Sequence, residues 1–179
     1  CALPISNALK AATHDKSRRD VFRSHNNNLD QIQKDLEDYL ETKRMAFPRF
    51  YFVSDDDLLE ILGQSKDPMA VQKHIKKCFE GIKGVNFQPD LTIIGMSSPE
   101  SEYIPYVKPV DPKGKNIEHW MCEVKDAMVA GVRQNMLGAV KDYLVTPRTE
   151  WMQKWAGQVV LNGSQLHWTR EVEALLRDK

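Results

Sequence analysis

The sequence predicts a mainly α-helical chain carrying one small β-hairpin, and three observations lead to that class. Apolar residues recur every three or four positions over most of the 179 residues, with Ser, Asp, Asn and Pro standing where helices would start. Over 91–107 this period gives way to β-branched and aromatic runs split by a turn-forming segment. The composition, 41% hydrophobic and 28% charged with a mean hydropathy of −0.51, suits a buried core under a charged helical surface.

Twenty-five basic residues balance twenty-five acidic ones, so no overall charge draws the chain to nucleic acid or anionic lipid. No apolar run reaches the ~20 residues that span a bilayer, and neither nucleic acid nor membrane is expected as a partner. The length fits one domain of ~100–200 residues. Cys1, Cys78 and Cys122 are too few for a disulfide framework, which points to a reducing compartment and a soluble chain. Cys1-Ala2-Leu3-Pro4-Ile5 reads as non-native and the chain as a fragment, so these residues are left out of the fold.

Leu29, Ile32, Leu36, Tyr39 and Leu40 form one stripe of an amphipathic helix that Pro48 should end near Ala46. The weaker run before it, 6–27, is a second helix or a frayed lead-in. Phe47, Phe50, Tyr51 and Phe52 put four rings into a short block, expected to anchor the core. Ser54 should cap a helix whose first turn, Asp55-Asp56-Asp57, suits the positive end of the helix dipole, with Gly63 as a left-handed stop. Asp67 caps the next, with Pro68 at its first position and a stripe of Val71, Ile75, Phe79 and Ile82.

The hairpin follows, turning at Pro99, and Pro105 and Pro109 confine its second strand to an edge, so it is expected to be small and to protrude. Beyond a loop at 111–115, Asn116 should cap a long helix with the stripe Ile117, Trp120, Met121, Val124, Met128, Val132, Met136, Ala139, Val140 and Tyr143. Thr146-Pro147 opens another helix bearing Trp151 and Trp155. A last one carries Val159, Val160, Leu166, Val172, Leu175 and Leu176, with Asn162-Gly163 as a point of weakness. The organisation is a poorly diagnostic lead-in at 1–28, helical segments at 29–83 and 114–179, and the hairpin with its loop at 84–113.

No catalytic constellation emerges. His74 with Cys78 and His119 with Cys122 have helical spacing, but without paired Cys-x-x-Cys knuckles they read as packing, and no metal is expected. Asp55 to Asp57 read as a helix start, and Lys73, Lys76 and Lys77 as a solvated face able to meet an acidic partner. Gly114-Lys115-Asn116 lacks the remaining parts of a phosphate loop, so no nucleotide or other cofactor is expected in this segment.

At Tyr39-Leu40-Glu41-Thr42-Lys43-Arg44, Phe47-Pro48-Arg49-Phe50-Tyr51-Phe52, Asp57-Leu58-Leu59-Glu60-Ile61-Leu62, Ile94-Gly95-Met96-Ser97-Ser98 and Gln158-Val159-Val160-Leu161, the sequence resembles the linker region of dynein heavy chains, with a lean to the axonemal type. The resemblance runs from Leu29 to the C-terminus. It implies elongated helical bundles forming a lever beside a ring of AAA+ ATPase modules, no catalytic residue in this segment, and ATP with Mg confined to the ring. It also implies the same heavy chain's ring, microtubules and other dynein subunits as partners, and the axonemal cytoskeleton of a cilium, or otherwise the cytoplasm, as location. Within that frame Ser97, Ser98, Pro99, Glu100, Tyr103 and Tyr106 are the candidate ring contact, and the loop at 111–115 a hinge. The alternatives are a free-standing helical adaptor for an acidic partner and, less favoured, a zinc-supported enzyme.

Overall fold

The computed structural model describes residues 18–64 and 67–177, so the leading segment 1–17 lies outside the described residues. The chain divides into two compact units, Cys1–Lys43 and Arg44–Lys179. Among the described residues no helix is long and apolar enough to cross a membrane.

Helix α1, Arg18–Ala46, takes in both the expected helix and the later part of the weaker run before it. Leu40 is buried, whereas Leu29, Ile32, Leu36 and Tyr39 remain exposed, so most of this apolar stripe faces outward.

The aromatic block is a 3-10 helix, Pro48–Phe52, and its geometry decides which rings anchor. With three residues per turn, positions 47, 50 and 53 share a face. Phe47, Phe50 and Val53 are accordingly buried, while Tyr51 and Phe52 stand 53% and 73% exposed. The expected four-ring anchor is therefore a two-ring one, with Phe47 edge-on to Phe50 at 4.9 Å and tilted against Phe79 at 6.2 Å. From the same block Arg49 lies over the Phe79 ring and donates to the Cys78 carbonyl at 3.1 Å, a cation placed on a helix C-terminus.

Ser54 caps α2, Asp55–Gly63, accepting from the Asp57 amide as expected. Gly63 ends that helix without entering the left-handed region, which Gly81 and Gly114 occupy instead. Asp67 and Pro68 open the next stretch as expected, but it divides into α3, Pro68–Val71, a 3-10 turn, Gln72–His74, and α4, Ile75–Cys78. Val71, Ile75, Cys78 and Phe79 are buried apolar residues of this stretch, and Pro68 and His74 are buried with them.

The hairpin belongs to a three-stranded antiparallel sheet ordered β1-β2-β3: Gly84–Phe87, Ile93–Ser97 and Tyr103–Val110. Strand β1 was not anticipated, because Gly and Asn are poor strand formers and four residues leave no period to read. It is held from outside by Gln72, whose side-chain amide donates to the Val85 carbonyl at 2.9 Å and accepts from the Val85 amide at 3.3 Å, closing a sheet edge that would otherwise stay open. β3 is an edge, as its prolines require, and its register against β2 slips between Ile93 and Gly95.

The sheet does not protrude. β3 and β2 pack on α5, Ile117–Asp142, which at 26 residues runs about 39 Å. Ile93, Met96, Tyr106 and Val110 of the sheet and Ile117, Trp120, Met121, Val124 and Met128 of the helix form the buried layer. A Cβ on Gly131 would meet the Pro105 carbonyl oxygen at 2.8 Å, so the strand crosses the helix where no side chain intervenes. Asn116 occupies the cap position of α5 but its side chain makes no capping bond; its carbonyl accepts from the His119 and Trp120 amides. The loop before it is a closed turn tied to the helix by Lys115 and Glu123 at 2.5 Å.

Helices α6, Arg148–Lys154, and α7, Gly157–Arg177, complete the unit. Trp151 is fully buried with Ala139 and Val159. The helix runs unbroken through Gly163: a Cβ there would meet the Trp151 ring at 2.9 Å, and the missing side chain is what admits the indole. Leu166, Leu175 and Leu176 on the last helix are exposed.

The 3-10 phase gives a test on two neighbouring rings. Phe50→Ala should cost about 3–5 kcal/mol in chemical denaturation, whereas Phe52→Ala should stay within about 0.5 kcal/mol of the parent.

Candidate functional site

The turn joining β2 to β3 is built by its serines. The Ser98 carbonyl accepts from the Ser101 amide at 3.1 Å, the Ser98 hydroxyl accepts from the Glu102 amide at 3.2 Å, and the Ser98 amide donates to the Glu102 carbonyl at 2.9 Å. Pro99 takes the second turn position, which its fixed φ suits. Ser97 donates sideways to Asn86 of β1 at 2.9 Å. Of the six candidate contact residues, Pro99, Glu100 and Tyr103 offer exposed surface, with the Tyr103 ring laid over Gly95. Tyr106 does not: it is only 7% exposed, and burial pushes its hydroxyl pKa up. The alternation along β3 turns Tyr106 into the helix-facing layer.

Glu102 was missed in the sequence. Its carboxylate accepts from the Gly157 amide at 2.6 Å, so the base of the turn is fastened to the N-terminus of α7. The signal available was negative, a helix start at Gly157 with no Ser, Thr, Asp or Asn before it, which leaves amide donors for a carboxylate from elsewhere.

A second polar group joins α2 to the segment after it. Asp57 and Glu60, three residues apart on one helical face, both look toward His74. The imidazole is 4% exposed, with Nδ1 3.7 Å from Asp57 Oδ1 and Nε2 3.3 Å from Glu60 Oε2. Neither nitrogen has a hydrogen-bond partner. Lys77 pairs with Asp57 at 2.5 Å and Lys73 pairs with Glu60. The Lys77 bond, aided by Ser54, holds the Asp57 carboxyl below its usual range, and the Lys73 bond does the same for Glu60. Two of the three lysines expected to form a solvated face are thus engaged within the fold. Asp55 pairs with Arg44 at 2.6 Å.

The His/Cys pairs do not come together as ligand sets. Among the described residues, the metal-capable group whose ligand atoms lie within 4.8 Å of one another is Asp57, Glu60 and His74. Cys78 is buried, which pushes its thiol up to about 11, and the Cys122 thiol donates to the Ala46 carbonyl at 3.6 Å.

The third polar group closes the end of α5. The last carbonyls of a helix lack intrahelical partners. Here Trp151 Nε1 donates at 2.8 Å to the Ala139 carbonyl, which also accepts from the Tyr143 amide at 3.0 Å, and His167 Nε2 lies 3.1 Å from the Val140 carbonyl, so that nitrogen carries the proton. Tyr143 stacks on His167 at 3.9 Å and meets Trp151 edge-on at 5.1 Å. Asp142 accepts from Lys154 at 2.9 Å and from Thr146 and Trp155 at 2.8 Å each. These donors, Lys154 first, lower its pKa to about 2.

Residues 2–139, which hold the aromatic block, the sheet and nearly all of α5, match the family profile described as "Dynein heavy chain, N-terminal region 2". The chain belongs to the dynein heavy chain family. It is 49% identical over 157 residues to human dynein axonemal heavy chain 1, covering 88% of this chain. It is 44% identical over 180 residues to mouse dynein axonemal heavy chain 2, covering 96% of this chain. To the dynein-1-beta heavy chain of the flagellar inner arm I1 complex of Chlamydomonas reinhardtii it is 41% identical over 179 residues, covering 97%. The chain spans about 4% of the length of each of these dynein heavy chains. The family profile stops at Ala139, yet the relatives align through most of the chain, so the lock on α5 formed by Trp151, His167 and Asp142 falls in a dynein segment beyond it.

Asp142 supplies a pH test. Its folded pKa of about 2 lies below the ordinary 3.8, so its contribution to stability is complete above the ordinary value and is lost as pH falls toward the folded one. Asp142→Asn should be less stable than the parent at neutral pH, and the gap should narrow between about pH 4 and pH 2 in thermal melts. A gap that stays constant across that range would show that the carboxylate charge is not what matters.

Proposed function

We propose that the chain is part of the mechanical linker of an axonemal dynein heavy chain, a lever coupling ATP hydrolysis in the AAA+ ring to movement along microtubules. The observation that supports this most is the match to the N-terminal region of dynein heavy chains over residues 2–139, together with relatives named for axonemes and flagella. On this reading ATP and Mg2+ are handled by the ring of the same heavy chain, and microtubules and other dynein subunits are partners of the complete motor in the axoneme of a cilium.

The physical build suits the role. A lever has to keep its shape under load, and α5 is packed by the sheet from Ile117 to Gly131 and closed at its C-terminal end by buried donors. The turn at 98–101 offers Pro99, Glu100 and Tyr103 as outward groups on a base fixed by Glu102. A contact made there in one state of the lever and not in the other biases the bent and straight forms by its own free energy.

The test belongs in a complete motor carrying Pro99→Ala, Glu100→Lys and Tyr103→Ala, changes that leave the buried layer intact. ATP turnover should persist at the parent rate while microtubule gliding slows, both measured on one preparation. Parent values for both would remove the turn as a coupling contact, and a joint fall would assign it to the integrity of the ring.

A further inference from the structure

We propose that Asp57, Glu60 and His74 form a zinc site that fastens α2 to the segment running from the 3-10 turn into α4, against the expectation from the sequence that no metal is bound. The carboxylates lie one helical turn apart on α2, and the imidazole comes from the end of the 3-10 turn packed across it. The decisive feature is His74. It is 4% exposed, both ring nitrogens lack a hydrogen-bond partner, and both face carboxylate oxygens at 3.3 and 3.7 Å. A buried imidazole normally has its nitrogens satisfied, because leaving them bare costs the hydration they give up on burial.

A metal ion resolves this arrangement. One ring nitrogen gives its lone pair to the ion, which supplies the partner that this nitrogen lacks in the structure. The ligand atoms already lie within 4.8 Å of one another, so small side-chain rotations bring them to the ~2.0–2.2 Å bonds of zinc. An imidazole in the set favours zinc over magnesium or calcium, which prefer oxygen alone. Three protein ligands leave the fourth tetrahedral position to water.

The charge balance also fits. The two carboxylates are now neutralised by Lys73 and Lys77, whose side chains are about half exposed, 52% and 46%. Exposed ion pairs hold weakly, so a divalent ion replaces two ammonium groups at little cost and leaves the net charge of the cluster unchanged. The sequence hid the site because Asp57 sat in a run explained by the helix dipole and His74 was paired by spacing with Cys78.

The experiment is calorimetric titration of zinc chloride into the metal-free 179-residue chain, compared with Glu60→Gln, His74→Asn and the double variant Lys73→Met with Lys77→Met. The parent should bind one zinc per chain in the micromolar range. Glu60→Gln, on a carboxylate that is 42% exposed, should weaken binding roughly tenfold or more, and His74→Asn likewise. The lysine double variant should bind zinc more tightly, since no ammonium competes for the carboxylates. Magnesium at the same concentrations should give no saturable heat. Absence of saturable zinc binding by the parent would overturn the proposal. So would zinc binding that Glu60→Gln and the lysine variant both leave unchanged, which would assign the ion to other histidines or cysteines.

Discussion

Everything in the larger unit is arranged around the crossing of β3 over α5, and that crossing depends on the absence of one side chain. Gly131 lets the Pro105 backbone come down onto the helix, where any Cβ would press on a carbonyl oxygen that cannot swing aside. Once the strand lies there, alternation along β3 sends Tyr106 and Val110, and the register slip of β2 between Ile93 and Gly95 sends Ile93 and Met96, into the same layer as Trp120, Met121 and Val124. Close packing of large side chains is worth most when no gap is left between the layers, and a strand held off by a methyl group would open one. The glycine is costly to helix propensity at mid-helix, and the contact it permits offsets that cost.

The same helix carries the consequences to its other end. Trp151 and His167 donate to carbonyls of its last turn, Gly163 gives the Trp151 ring its room, and Asp142 gathers three donors at the exit. Glu102 then returns from the base of the sheet turn to the start of α7, so sheet, spine and terminal helices are linked by backbone-directed bonds as well as by apolar contact. On the linker reading this matters more than any single contact, because a lever loses stroke wherever one of its joints yields. On that same reading the parts stay rigid while a surface contact biases a two-state balance.

Much of this was legible from the residues. Long periodic stretches announced α5 and its buried face from Ile117 to Met128, and Ser54, Asp67 and Pro68 marked helix starts that the structure uses. What escaped was set by tertiary contact. Strand β1 exists because Gln72 completes its edge, and no local pattern encodes a side chain 13 residues away. Tyr51 and Phe52 look like core by hydrophobicity but fall outside it, since a 3-10 phase, which Pro48 opens, repeats every three residues where an extended or α reading would place the rings differently. Within the candidate site the turn serines and Pro99 were readable from turn chemistry. Tyr106 was misplaced because its burial is decided by α5, and Glu102 and the His74 group because each joins elements distant in sequence.

Substitution by alanine at two glycines measures the central constraint with its own control. By helix propensity alone, Gly→Ala within a helix stabilises by about 1 kcal/mol. At Gly63 a Cβ would meet nothing within 4 Å, and at Gly131 it would meet the Pro105 carbonyl oxygen at 2.8 Å. Thermal denaturation of the two variants should therefore diverge in sign: Gly63→Ala should melt at or above the parent midpoint, and Gly131→Ala several degrees below it. If Gly131→Ala melted as high as Gly63→Ala, the strand would not rest on the helix at that point, and the account of α5 as the spine of the fold would be contradicted.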